Sequence, residues 1–347
     1  MSRNQIAIAS LFYIASFLSC KTQAQKANSM ESKVSKTYQT TGSIEVLDNG
    51  LLKLIDANSP IQILATGFNW SEGPLWVKEI NGVIFSDVPE NTVYKWTEAD
   101  SISVYLKPSG YTDTIPRGGE MGSNGLTLSP DRKLVLAQHG NRAIAQMDAS
   151  LKSPKAKFIN LAEKYMGKKF SSPNDVIFSK NGTLFFTDPP YGLVKQQNDP
   201  NKELEFNGVF MKKPGGQVEL IDDKVSRPNG IALSKDESKL YVASSDPSKA
   251  IWMEYSLDAN FKVTSSKELA NFTALGRKVR GLPDGMKVHS SGNLFATGPG
   301  GVVIIDPMGK HLGTILTGRA TSNCAFDDDE KYLYMTADDY LLRVKMK

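Results

Sequence analysis

The stretch "SSPNDVIFSKNGTLFFTDPPYG", residues 171–192, holds the plan of the chain. A polar pair, Asn174-Asp175, leads into a short apolar run, a turn of Ser, Lys, Asn and Gly, and a second apolar run from Leu184. Short strands divided by turn residues predict antiparallel β structure. The same grammar recurs in "SEGPLWVKEINGVIFSD" from 71, "SNGLTLSPDRKLVLAQH" from 123, "PNGIALSKDESKLYVASSD" from 228, "PDGMKVHSSGNLFATG" from 283 and "SNCAFDDDEKYLYMTAD" from 322. The polar anchors of these units are Glu72, Asn124, Asn174, Asn229, Asp284 and Asn323, spaced 39 to 55 residues apart.

A period near 50 residues, with room for about four strands per unit, is the signature of a propeller blade. Six units predict an all-β fold, a six-bladed β-propeller over residues 41–347. Residues 42–55, "GSIEVLDNGLLKLI", are expected to give the short last unit its missing strand and close the ring, which removes exposed edges. Helical periodicity is nearly absent, and "NLAEKYMGKKF", residues 160–170, is the best helix candidate.

The N-terminus reads differently. Arg3, an apolar run from Ile6 to Leu18 and then small and polar residues predict a secretory signal peptide, too short to span a membrane. Cleavage after Ala24 makes residues 1–24 the signal and leaves 25–40 as a polar linker. The alternative is "FLSC", a relaxed lipobox that would leave Cys20 as a lipidated N-terminus and the sole membrane contact. Either way the protein is expected to be exported, to the periplasm or to the outer membrane as a lipoprotein. The other cysteine, Cys324, sits in an apolar run and is expected to be a small buried hydrophobe. The net charge of +4 is spread along the chain without a basic block, which argues against nucleic acid as a partner. A monomer is expected.

Each anchor opens the strand expected to be innermost in its blade, so the set should ring one mouth of the central channel. Asn-Gly and Asp-Gly are also common turn pairs, but the anchors precede the first strand and the hairpin turn comes several residues later. Two carboxylates and four amides are hard oxygen donors, and two negative charges balance one divalent cation. Calcium, which takes six to eight oxygens, fits best. Magnesium and manganese come next. Zinc is the poorest fit, because it prefers His or Cys and the three histidines (His139, His289, His311) lack ligand spacing. In an antiparallel hairpin the end of the second strand lies beside the start of the first. Those ends are expected at Asp87, His139, Asp188, Asp246, Gly298 and Asp338. His139 is the only histidine among them, while the three aspartates at 87, 188 and 246 suit turn caps or supports behind the site.

The motifs "SEGPLW", "SPNDV", "RPNGIALS" and "LPDGMKV" resemble the regucalcin and gluconolactonase family of six-bladed propellers, over nearly all of residues 65–345. "TDPPYGL" looks like the bacterial gluconolactonase branch. The resemblance implies one divalent cation, usually calcium, and hydrolysis of a sugar lactone such as a glucono-1,5-lactone to the aldonic acid. It implies that Glu72, Asn229 and Asp284 are metal ligands, that Asn174 is a fourth ligand or a substrate contact, and that Asp284 is also the acid/base residue. Relatives of the animal type carry Arg two residues before the third-blade Asn, where this chain has Ser172.

Asn124, Asn174 and Tyr191 are the expected substrate contacts, with Trp70 as a second aromatic that could flank a sugar ring. A carboxylate bound to a divalent cation is a weak base, so His139 rivals Asp284 as the general base. No Gly-x-Ser-x-Gly sequence is present, which argues against a covalent serine mechanism. Two alternatives stand beside the lactonase: a non-catalytic propeller binding module, and a phosphotriesterase-like hydrolase at the same calcium site. The loops "GYTDTIPRGGEMG", residues 110–122, and "YGLVKQQNDPNKELEFNG", residues 191–208, are expected to shape the pocket.

Overall fold

Four-stranded antiparallel sheets repeat along the chain in a computed structural model that describes residues 36–347 apart from Pro116. The expected signal peptide, Cys20 and the linker as far as residue 35 lie outside the described residues. The first blade runs Ser71–Val77, Gly82–Asp87, Thr92–Thr97 and Ser101–Leu106, paired in that order. The inner strands of the next five blades are Ser123–Leu128, Val176–Phe178, Pro228–Leu233, Met286–Val288 and Thr321–Phe326. These first strands meet one another about a common axis: the Gly125 N–H donates to the Asn174 carbonyl at 2.7 Å, and Gly285 N–H to the Ser322 carbonyl at 2.7 Å. The compact unit Tyr38–Lys347 is a six-bladed β-propeller.

The ring closes differently from the sequence expectation. The sixth blade, Thr321–Phe326, Tyr332–Ala337 and Tyr340–Lys345, takes its fourth strand from Ile61–Thr66, with Tyr340 opposite Thr66 and Arg343 opposite Gln62. Ser43–Val46 pairs instead with His311–Leu316, as an extra outer strand on the fifth blade. The segment that follows it packs rather than pairs. Leu51, Leu54 and Ile55 enter the apolar cluster between the fifth and sixth blades, beside Phe295, Cys324 and Met335. Cys324 is fully buried there, as expected of it.

Residues 160–170 are not helical. They finish an outer strand and form a small hairpin in which Lys164–Tyr165 pairs with Lys168–Lys169. Met166 and Gly167 turn it with φ of 50° and 83°, the pair of positive values that a tight hairpin turn uses. Among the described residues the single α-helix is Thr273–Gly276.

Apolar side chains fill the wedges between blades. Phe170, Phe186 and Phe210 pack with centroids 5.1 to 5.4 Å apart between the second and third blades. Trp76 stacks on Tyr334 at 5.6 Å between the first and sixth. Such wedges leave the axis to the polar ends of the inner strands.

Candidate active site

Four inner strands carry an irregularity at the anchor. The pairing register shifts between Glu72 and Leu75, Ser123 and Leu126, Pro228 and Ile231, and Thr321 and Asn323. A bulge bends a strand locally and re-aims its side chains. In the third and fifth blades Asn174 and Asp284 lie just before the regular strand.

The aspartates that end several second strands fasten the chain ahead of these anchors. Asp87 accepts the N–H groups of Asn69 and Trp70, both at 3.1 Å, just before Glu72. Asp188 accepts those of Ser171 and Ser172 at 2.8 and 2.7 Å, just before Asn174. Asp246 accepts the Ser226 hydroxyl at 2.7 Å, before Asn229. Ser245 joins two blades: its hydroxyl accepts from the Asn229 amide at 2.8 Å and donates to the Pro283 carbonyl next to Asp284. The anchors are thus held from behind by a second set of polar groups.

At this mouth lies a cavity of about 390 Å³. Glu72, Asn124, Asn174, Asn229 and Asp284 line it, together with Trp70 and Tyr191. The sixth anchor does not. Asn323 sits deeper, where its amide reaches Glu72 at 3.5 Å and its oxygen accepts the Cys324 N–H at 2.9 Å, while Thr321 takes the place on the wall. Asp175 also turns away and accepts the N–H groups of Val176 and Ile231 at 2.9 and 3.2 Å.

His139 is wholly buried and is not on the cavity wall. Its Nδ1 lies 3.2 Å from an oxygen of Glu120, which is on the wall. Ser172 is buried too, with its hydroxyl spent on the Pro189 carbonyl at 2.6 Å and the Gly192 N–H at 2.9 Å. An arginine at the same offset from the next anchor, Arg227 before Asn229, lines the cavity instead.

The electrostatics of the floor are unbalanced. Burial pushes the Glu72 carboxyl up to about 8, with the charge of Asp175 adding to the shift and the Gly73 N–H opposing it. Burial likewise raises Asp284 well above the usual carboxylate range, followed by repulsion from Glu72, Asp175 and Glu120. Asn124, Asn174 and Asp284 each keep a buried Oδ1 with no hydrogen-bond partner. Buried polar atoms are nearly always paired, so three orphaned oxygens beside two crowded carboxylates fit a cation. Among the described residues no group of three or more His, Cys, Asp or Glu side chains is placed to hold a metal, and the donor set is a mixture of carboxylates and amides.

The sequence reading missed Glu120, Arg227, Arg280, Leu282 and Thr321, all on the wall. Arg227 and Leu282 each stand two residues before an anchor, so the residues ahead of the anchors carried a usable signal. Glu120 belongs to the loop of residues 110–122, which was expected to shape the pocket, but with no counterpart in other blades nothing singled it out within that loop.

Residues 70–339 match the family described as SMP-30/Gluconolactonase/LRE-like region. The chain is 44% identical over 315 residues to the gluconolactonase of Zymomonas mobilis, covering 89% of this chain and 87% of that one. Among solved structures, a gluconolactonase from Xanthomonas campestris is similar with a TM-score of 0.76 at 27% identity, covering 90% of this chain and 99% of that one. Regucalcin from Agrobacterium tumefaciens, described as a calcium-binding protein, has a TM-score of 0.61 at 16% identity, over 82% and 94% of the two chains, a likeness of fold alone. The chain belongs to the SMP-30/gluconolactonase/LRE-like family.

Proposed function

We propose that this propeller is a lactonase that hydrolyses a sugar lactone, of the glucono-1,5-lactone kind, with a divalent cation, calcium foremost, held by Glu72, Asn174, Asn229 and Asp284. The observation that carries the reading is the set of orphaned oxygens and crowded carboxylates on the cavity floor. The names of the Zymomonas and Xanthomonas relatives support the substrate class, and the description of the Agrobacterium structure supports the ion. A bound divalent cation supplies Lewis acidity, which polarises a carbonyl oxygen and stabilises charge that develops on it.

The chain's own residues do the rest. Trp70 and Tyr191 offer apolar faces to the ring, and Asn124, Arg227 and Arg280 offer donors to its hydroxyls. The cavity volume is in the range of small-molecule sites. Export through residues 1–24 belongs to the same proposal, to the periplasm, or to the outer membrane with Cys20 lipidated.

The test is a panel of aldonolactones assayed with chelated and calcium-restored enzyme. Chelation is expected to abolish hydrolysis, and one equivalent of calcium to restore it. Full activity in metal-free enzyme would remove the ion from the reading.

The raised carboxyls give a pH signature. Glu72 and Asp284 hold protons more tightly in the folded than in the unfolded chain; the contribution of Glu72 to stability is fully present below about pH 4.5 and is lost as pH rises through about 8, and that of Asp284 is lost in the same direction. Calcium needs both groups deprotonated. The gain in melting temperature on adding calcium is therefore expected to be small at pH 5 and large at pH 8. An equal gain at both would contradict the assignment of these two ligands.

A further inference from the structure

We infer that Glu120, a loop carboxylate outside the six-fold pattern, accepts the proton of the attacking water, and that buried His139 is its positioning residue. The inference rests on the lactonase reading and adds the base, for which the sequence had pointed to Asp284 or His139. Asp284 belongs to the oxygen set proposed to hold the cation, and a carboxylate so engaged is a weak base. His139 is off the wall. Glu120 is on the wall, and its carboxylate lies 3.2 Å from the imidazole.

Glu120 lines the same cavity as five of the anchors and Tyr191. Unlike Glu72 it is partly open, with 37% of its side chain exposed, so a proton taken there can leave to solvent. Behind it, the His139 ring is fully buried and neither Nδ1 nor Nε2 has a hydrogen-bond partner among the described residues, although Nδ1 lies 3.2 Å from a Glu120 oxygen. A buried imidazole without a hydrogen bond is unfavourable, and the cavity carboxylate of Glu120 is within reach to supply one. That 3.2 Å separation is within the reach at which a third group orients a base.

The loop is fixed well enough to aim a side chain. The Arg117 guanidinium donates to the carbonyls of Gly118, Gly140 and Gly192 and lies over the Tyr111 ring at 5.6 Å. The Asn91 side-chain oxygen accepts the N–H groups of Ser109, Gly110 and Tyr111. Gly119, with φ of +81°, passes so close to the Gly192 carbonyl that a Cβ would lie 3.0 Å from it. These contacts tie the loop to Gly140 and Gly192, the residues that follow His139 and Tyr191.

The step balances within the lactone and one water. The water oxygen forms a bond to the carbonyl carbon as its proton passes to Glu120 and the carbonyl electron pair moves onto oxygen. Collapse breaks the bond from that carbon to the ring oxygen, which takes the proton back from Glu120. The product is the hydroxy acid, and Glu120 is again a carboxylate.

The experiment compares Glu120→Gln, Glu120→Ala and His139→Gln with the parent enzyme at saturating calcium. Glu120→Gln is expected to lose about 10²–10⁴-fold in kcat, the usual worth of a positioned general base, with KM and calcium affinity unchanged. Formate, a small diffusible carboxylate, is expected to restore part of the rate to Glu120→Ala. His139→Gln is expected to lower kcat by a smaller factor with KM unchanged. If that buried variant does not fold, the two Glu120 variants still decide. Near-normal kcat in Glu120→Gln overturns the inference, as does a loss of calcium affinity, which would make Glu120 a ligand. A parent enzyme that hydrolyses no lactone at all would instead refute the reading on which the inference rests.

Discussion

Asp284→Asn is expected to lower kcat/KM for a lactone by at least about 10³-fold at limiting calcium, the upper range for removing one preorganised electrostatic group. The same change should raise the melting temperature of the chelated protein. Both effects have one cause. Asp284 and Glu72 are two carboxylates on a buried floor, each raised by burial, with Glu72 adding directly to the shift of Asp284. Without a cation they repel, and replacing one by an amide removes a charge that the metal-free fold holds at a loss. Glu72→Gln should behave alike. Functional sites commonly trade stability for chemistry in this way. Calcium affinity by chelator competition and melting with and without chelator give the two readouts. Full calcium affinity in both variants would sink the ligand assignment. Saturating calcium separates the roles further: it should return much of the activity of Asp284→Asn, whose amide still offers an oxygen, and none of that of Glu120→Gln.

The propeller was legible because its evidence is repeated. A polar anchor, a strand, a polar turn and a second strand recur from Glu72 to Asn323, and period and count give the blades without any single strand being certain. Ring closure had no such redundancy. Ser43–Val46 and Ile61–Thr66 are both strands, closure was expected only from residues 42–55, and nothing local says which blade edge each will meet. The longer one lies directly before the first blade and took the closing position. The turn at Met166-Gly167 was missed because Met is an uncommon residue at positive φ, so the charged residues around it read as a helix. In the site, five anchors reach the cavity and Asn323 does not: in the sixth blade the register shift falls before the anchor and leaves Asn323 paired with Thr336, which spacing cannot show. Glu120 depends on a loop folding back across two blades. Only three-dimensional proximity to His139 gives it meaning.

Gly230→Ala is expected to destabilise the protein by about 1–3 kcal/mol, the usual cost of overpacking, and to weaken calcium binding about tenfold or more, each decade being about 1.4 kcal/mol. The residue after the anchor is glycine in four blades: Gly73, Gly125, Gly230 and Gly285. Read locally, Asn-Gly and Asp-Gly look like turn pairs, but these glycines are where neighbouring inner strands touch around the axis. A Cβ on Gly230 would stand 2.1 Å from the Asp284 carbonyl oxygen and 2.8 Å from the Gly285 Cα. Both neighbours are backbone and cannot rotate away, so the fourth and fifth blades must part, and Asp284 moves with them. The cost is steric, because Gly230 lacks the left-handed φ that favours glycine. Gly215 is the contrasting control: its φ is +69° and a Cβ there would meet nothing within 4 Å. Gly215→Ala should cost a modest amount of stability through backbone strain alone and leave calcium affinity and activity intact. Urea melts and calcium titrations of the two variants test the distinction. If Gly230→Ala bound calcium as tightly as Gly215→Ala, the inner glycines would not be spacers of the ion site, and the anchors would owe their positions to the bulges alone.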